Sequence, residues 1–320
     1  MAKLKLALYW AAACGGCDVA VLDINEKILD VANLADIVFW PIALDFKYHH
    51  VEAMPDKSID VCLFNGAIRS SEQEHIAKML RAKSKVLVSF GSCACFGGIP
   101  ALANFTTRAE IMERVYIEAP SNENPNKTLP QTKVSVPEGE LTLPELFDNV
   151  LTLAQVVPAE YFVPGCPPTV DLILKVVNAL ATNSLPPVGA IIASEKTLCD
   201  ECDRKKENKK ITRIYRTQEI IPDPERCLLE QGLLCMGPAT RGGCGALCVK
   251  VNIPCRGCFG PPPGVADQGA KLVSAIASIY ETNGKQDIEK MVNEVVDPAG
   301  TFYRFGMSIS MLKRKIPQKR

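Results

Sequence analysis

With 36 basic against 36 acidic residues this 320-residue chain is formally neutral, so no global field draws it to nucleic acid or to an anionic membrane. It is 47% hydrophobic and 22% charged, a globular composition with material for one large domain or two ordinary ones. No apolar run approaches the ~20 residues of a membrane span, and Met1–Trp10 enters a strand-like run with no charged n-region or A-x-A cleavage site, which predicts a cytoplasmic location.

Lys5–Trp10 reads as a buried strand, and Val21, Ile24, Ile28 and Val31 repeat at helical spacing across 19–34. Ile37–Trp40 is a short strand stopped by Pro41, and Ile59–Phe64 is another that ends at Asn65-Gly66. Ser70 and Ser71 can cap a helix running to about Arg81. Lys85–Phe90 is a strand ending at Gly91, and 118–144, rich in Pro, Asn, Lys and Glu, reads as a long surface loop. Tyr161–Val163 is a strand, followed by a helix over 169–180. Strands alternating with helices predict a doubly wound parallel sheet covered on both faces.

The style changes after residue 184. Proline and cysteine become dense, and periodicity returns only at 272–280 and 288–296, which read as two short helices. A boundary at 184 divides the chain into residues 1–184 and a mostly irregular, cysteine-rich part, 185–320, that needs metal centres as staples. The basic runs Arg204–Lys210 and Lys313–Arg320 read as solvated surface.

Fourteen cysteines sit in the chain, and in a reducing cytoplasm metal binding explains them better than disulfides. Cys14-Gly-Gly-Cys17 follows the first strand, Cys93 follows the strand at 85–90, and Cys166 follows the one at 161–163. Ligands of doubly wound sheets bind beyond the carboxyl ends of the strands, so these four can converge. A helix N-terminus beside Cys17 suits thiolate, and glycines bring backbone N–H groups up to sulfur. Asp18 reads mainly as a helix N-terminal charge, with tuning of this site as the alternative.

Eight more cysteines crowd into 199–258. They divide most economically into Cys199, Cys202, Cys227 and Cys235, and Cys244, Cys248, Cys255 and Cys258. Zinc ribbons fit that spacing nearly as well as [4Fe–4S] clusters. Flanking Gly and Pro, and the confinement of all three histidines to the first part, favour clusters. Mid-strand Cys62 reads as a core residue, and Cys95 competes with Cys93 as ligand.

The motifs Cys14-x-x-Cys17, Gly91-Ser92-Cys93-Ala94-x-x-Gly97-Gly98, Pro164-Gly165-Cys166-Pro167-Pro168, Cys227-x7-Cys235-x-Gly237-Pro238 and Pro254-Cys255-x-Gly257-Cys258, in that order, resemble the small subunit of nickel–iron hydrogenases over nearly the whole chain. The resemblance implies a flavodoxin-like first domain and three [4Fe–4S] clusters. The proximal cluster falls to Cys14, Cys17, Cys93 and Cys166, and the distal one to Cys199, Cys202, Cys227 and Cys235. The medial cluster falls to Cys244, Cys255 and Cys258, with Cys248 as a fourth ligand where many periplasmic members have three. Cys199 stands where those members have histidine. Ile37-Val38-Phe39-Trp40-Pro41 and Asn65-Gly66-Ala67-Ile68-Arg69 resemble the methyl-viologen-reducing type of methanogenic archaea. That type implies a large subunit carrying the nickel–iron centre, a small [2Fe–2S] electron-transfer subunit and a heterodisulfide reductase complex as partners. The rival readings are a zinc-stabilised interaction module and the cluster subunit of respiratory complex I. The latter fits worse, because that family has adjacent cysteines at the first motif and lacks the cysteine-rich second half.

Overall fold

A computed structural model describes residues 3–315, so the last five residues of the basic run 313–320 lie outside the described residues. The chain opens with β1 (Leu4–Trp10) and crosses through α1 (Gly16–Leu22) and α2 (Ile28–Leu34) to β2 (Ala35–Phe39), then through α3 (Tyr48–Glu52) to β3 (Ile59–Asn65). Next come β4 (Ile68–Ser70), α4 (Ser71–Lys83), β5 (Ser84–Phe90), α5 (Ser92–Phe96) and α6 (Arg108–Tyr116). A hairpin of β6 (Lys133–Val136) and β7 (Gly139–Thr142) leads to β8 (Leu146–Leu151), β9 (Tyr161–Val163) and α7 (Val170–Ala181).

Five of these strands form one all-parallel sheet in the order β2-β1-β3-β5-β9. Counted among themselves they run 2-1-3-4-5, the flavodoxin-like order. Each strand is apolar almost without break because both faces are covered. One face packs Leu8, Leu63 and Phe90 against Val21 and Val31 of the first crossover and Ile173 and Val176 of α7. The other packs Tyr9, Phe64 and Leu87 against Ile76 and Leu80 of α4, with Cys62 buried among them as a core residue.

Several elements depart from the expectation. The helical pattern over 19–34 is two helices, because the chain turns through a 3₁₀ segment at Asn25–Lys27 and Asn25 takes φ 53, a left-handed value that Asn tolerates. Helix α1 also begins earlier than expected, at Gly16. The stretch 118–144 is not all loop: Lys133–Val136 and Gly139–Thr142 pair in an exposed antiparallel hairpin about Gly139, φ 140.

Beyond α7 the chain still adds to the sheet edge, where Ile192 N–H donates to Phe162 C=O (2.8 Å) and Phe162 N–H to Ala190 C=O (3.1 Å). Irregular backbone with 3₁₀ turns then runs through α8 (Leu247–Lys250) to α9 (Gln268–Ile279), α10 (Lys285–Glu294) and α11 (Pro298–Phe302). Helix α9 starts four residues before the expected 272 because Asp267 caps it, accepting from Ala270 N–H at 2.9 Å. This part has an apolar cluster of its own around Leu228, Leu233, Leu272 and Ile276. Its last turn returns to the first part, where Ser308 Oγ donates to Val150 C=O at 2.6 Å.

One ion pair pins the strand that leads into Cys166. Arg81 donates to Glu160 at 2.6 Å and to the Ser84 and Lys85 carbonyls, and the same Glu160 oxygen accepts from Leu87 N–H at 2.7 Å. Both side chains are mostly buried. Glu160→Gln removes the charge that organises these donors, and we expect a loss of about 1–3 kcal/mol, read as a lower thermal midpoint with little response to added salt.

Candidate metal centres

Three strand ends deliver the first group of thiols, those of β1, β5 and β9. The Cys14 loop is tied to the Gly66 turn by reciprocal bonds between Ala12 and Ala67 (3.0 and 2.9 Å). Gly66 sits at φ +95, and a Cβ there would lie 2.7 Å from the Ala11 carbonyl carbon, so only glycine permits the approach. The loops carrying Cys93 and Cys166 are laced by Gly91 N–H to Val163 C=O (2.7 Å) and Ser92 N–H to Gly165 C=O (2.8 Å). Cys17 feels the charges of Cys93, Cys166 and Cys14, and Cys93 those of Cys166 and Cys14. Cys14 and Cys166 are exposed at this edge, whereas Cys17 and Cys93 are buried.

The same proximity gathers Cys199 with Cys202, Cys227 and Cys235. Cys244 neighbours Cys248, and Cys258 neighbours both. Cys255 is near Cys258 but also near Cys235 of the preceding group. Cys258 in turn is near Cys166, whose backbone N–H reaches its sulfur. A hydrogen bond from Ser92 Oγ to the Cys258 carbonyl joins the same two regions. The group around Cys244, Cys248, Cys255 and Cys258 therefore lies between the other two, near one through Cys258 and near the other through Cys255.

Burial and neighbouring sulfurs govern the chemistry. Burial first, then the other thiols, pushes Cys17 far up, and burial is also the main cause lifting Cys93, Cys199 and Cys258 to about 12. Cys166, Cys235, Cys244 and Cys255 move the same way, again mainly through burial. Such groups do not ionise side by side at neutral pH unless a cation sits among them, so metal is what would make them thiolates.

The backbone fits a bulky sulfur-bound group as well. A Cβ on Gly91 would fall 2.3 Å from Cys17 Sγ, and one on Gly98 would fall 2.4 Å from Cys93 Sγ. On Gly237 it would lie 3.0 Å from Cys199 Sγ. N–H groups of Gly16 and Gly257 point at Cys14 and Cys255 sulfur, each at 3.4 Å. Among the described residues no three His, Cys, Asp or Glu side chains converge as tightly as one metal ion requires.

Cys95 and Cys93 face different surroundings. It turns into the core, where its thiol donates to the Ser89 carbonyl at 3.1 Å, while Cys93, two residues away on the same short helix α5, faces the other thiols. Several contributors carried no signal in the sequence. Trp40 Nε1–H and Asn65 Nδ2–H, from different strand ends, donate to the buried Asp18 carboxylate at 2.8 and 2.9 Å. Buried Gln268 donates to Thr240 Oγ1 (3.2 Å), beside Cys255. Only Asp18 could have been suspected, from its place after Cys17.

The family described as NADH ubiquinone oxidoreductase, 20 Kd subunit, matches residues 14–180. The chain is 44% identical over 319 residues to an F420-non-reducing hydrogenase iron-sulfur subunit of Archaeoglobus profundus, covering 98% of this chain and 99% of the relative. It belongs to this family of F420-non-reducing hydrogenase subunits. The family's representative in Methanothermobacter thermautotrophicus is 37% identical over 322 residues, 99% of this chain and 98% of that one. Among solved structures, a chain of an NAD⁺-reducing [NiFe]-hydrogenase in the H2-reduced state matches with TM-score 0.50 and 26% identity, over 58% of this chain and 94% of that one. The 20 Kd subunit family therefore stops near the end of α7, whereas the two F420-non-reducing hydrogenase relatives continue through the cysteine-rich half.

Replacing Cys93 by Ala should remove about four irons per chain, one tetranuclear complement. Cys95→Ala should keep them and lower only thermal stability. Iron and acid-labile sulfide analysis of the two variants separates the roles.

Proposed function

We propose that this chain is the electron-transferring small subunit of a nickel–iron hydrogenase of the methyl-viologen-reducing type, with three [4Fe–4S] clusters in a row. Cys14, Cys17, Cys93 and Cys166 would hold the proximal cluster, Cys244, Cys248, Cys255 and Cys258 the medial one, and Cys199, Cys202, Cys227 and Cys235 the distal one. The observation that carries this reading is the adjacency of Cys258 to Cys166 and of Cys255 to Cys235: three thiol groups in series, with the ends separated by the middle. A line of centres suits electron movement, whereas stapling a fold requires no order among them. The two-domain division at residue 184 is part of the same proposal.

When bound, each cluster supplies a site that takes up and releases one electron at a time. The chain's own residues do the rest. Cys14 and Cys166 present the proximal set at the open edge of the sheet, toward a large subunit in which H2 is split to two protons and two electrons. Gly91 and Gly98 leave room beside the sulfurs, backbone N–H groups of Gly16 and Gly257 stabilise sulfur-borne charge, and the Ser92–Cys258 link fixes the proximal set against the medial one. From the distal end electrons would pass to a small [2Fe–2S] subunit and on to a heterodisulfide reductase complex, in the cytoplasm. No helix among the described residues is long and apolar enough to cross a membrane.

The zinc-module reading gains least from the serial order of the three thiol groups, because zinc staples need no such order. Anaerobic purification of the intact complex should yield about twelve irons and as many sulfides on this chain, four for each cluster. Zinc without sulfide would overturn the reading. Hydrogen uptake should be lost when the chain is removed from its copurifying large subunit, and uptake by this chain alone would refute the placement of H2 chemistry in the partner.

A further inference from the structure

Arg204 opens the basic run 204–210, which reads from its composition as solvated surface, yet it alone of that run is buried, at 9% exposure. Its guanidinium reaches two separate segments. Nη1 donates to the carbonyls of Asp223 (2.7 Å) and Arg226 (3.0 Å), on the stretch that leads into Cys227. Nη2 donates to the Val249 carbonyl (3.0 Å) and to Asn252 Oδ1 (2.6 Å), on the stretch that leaves Cys248. Arg204 itself stands two residues after Cys202. One side chain thus ties the helix that carries Cys248 to the backbone beside Cys202 and Cys227.

All four acceptors are neutral. The Asp223 carboxylate accepts instead from Glu225 N–H (2.8 Å), the Glu225 carboxylate pairs with Lys205 (3.1 Å), and Asp203 is exposed. A cation is costly to bury unless its donors are matched. Here each terminal nitrogen makes two hydrogen bonds, one pair to each segment. The planar fork is the feature that this position uses. A lysine, with one nitrogen on a flexible stem, does not span both segments in this geometry.

Helix α8 needs such an anchor. It has only four residues, Leu247–Lys250, and the chain enters it through Ala246 at φ 55, a left-handed conformation that a residue with a Cβ keeps only where its surroundings fix it. Leu247, Cys248 and Val251 are exposed, while the Val249 side chain enters the apolar cluster of the second half. Asn252, at φ 66, passes the tie on, its Nδ2 donating to the Pro222 carbonyl at 2.9 Å. Other middle cysteines have moorings of their own. Glu201 accepts from Gly245 N–H, next to Cys244, at 3.0 Å, and Met236 N–H donates to the Cys255 carbonyl at 3.0 Å. We infer that Arg204 is the positioning residue for Cys248, its two-sided fork holding α8 where the Cys248 sulfur closes the middle site as a fourth ligand. The inference rests on the cluster reading above and deepens it at one sulfur. Arg204 itself ligates nothing and acts only through the Val249 carbonyl and the Asn252 amide.

The test is iron and sulfide analysis of the intact purified complex, with electron paramagnetic resonance of the oxidised samples. Cys248→Ala sets the reference: it should lose about one iron per chain from a tetranuclear complement and show the oxidised-state signal of a three-iron centre. Arg204→Met should reproduce both changes. Arg204→Lys, which keeps the charge but not the fork, should do the same. Asn252→Gly, which keeps the left-handed backbone and removes one acceptor, should show the three-iron signal in part. Arg204→Met and Arg204→Lys complexes with the full iron count and no three-iron signal overturn the inference. Full rescue by Arg204→Lys also overturns it, as does iron loss confined to the Cys199/Cys202/Cys227/Cys235 set. If Arg204→Met does not assemble, Arg204→Lys and Asn252→Gly decide by the same signal. A Cys248→Ala complex that keeps every iron would instead overturn Cys248 as a ligand, so the two failures are told apart.

Discussion

Twelve thiols packed into three groups is an arrangement that a polypeptide does not tolerate as thiolates by itself. Burial and mutual repulsion hold Cys17, Cys93, Cys199, Cys255 and Cys258 in the protonated form, and the rest of the molecule is organised around that constraint. Positive metal ions among the sulfurs reverse it, so metal affinity and folding free energy become one quantity in the cysteine-rich half, where regular structure is sparse. The glycines belong to the same constraint. Gly91 and Gly98 are placed where any Cβ would strike a cysteine sulfur, which reserves the space at the sheet edge for something bonded to sulfur rather than for side-chain packing.

The sheet solves a different problem, that of bringing distant residues together. Parallel strands all end at one edge, and the turn after each is the natural place for a ligand. Cys14, Cys93 and Cys166 lie far apart in sequence yet meet because β1, β5 and β9 are in register, locked by Arg81 and Glu160 on one side and by the Gly66 turn on the other. The outer groups need no such scaffold, since their eight cysteines fall within 199–258 and local turns suffice.

This difference decides what was legible in the sequence. Strands β1, β3 and β5 declare themselves as apolar runs ending in Gly or Asn-Gly, and the cysteines that follow them are legible for the same reason. The hairpin at 133–142 was not legible: its residues are exposed on both faces, so no period-2 pattern marks it. The break between α1 and α2 hides inside a good helical pattern because one left-handed Asn is enough to make it. The different surroundings of Cys93 and Cys95 were not legible without the direction of α5, since two residues on a helix point to different sides. Asp18's partners were hidden more deeply, as Trp40 and Asn65 reach it only because β2 and β3 flank β1.

The joint between the two halves follows from the same geometry. The middle group has no sheet edge of its own and is not a closed local unit either. It borrows position from both neighbours, through Ser92 on the Cys258 carbonyl and through Met236 N–H on the Cys255 carbonyl at 3.0 Å. Shifting either half relative to the other would therefore move the middle sulfurs first. That is the arrangement a relay requires, because the rate of electron transfer falls steeply with separation and the centre that sets both gaps must be tied to both ends. Cys244 and Cys248, the latter exposed on the short helix α8, lie outside those two ties.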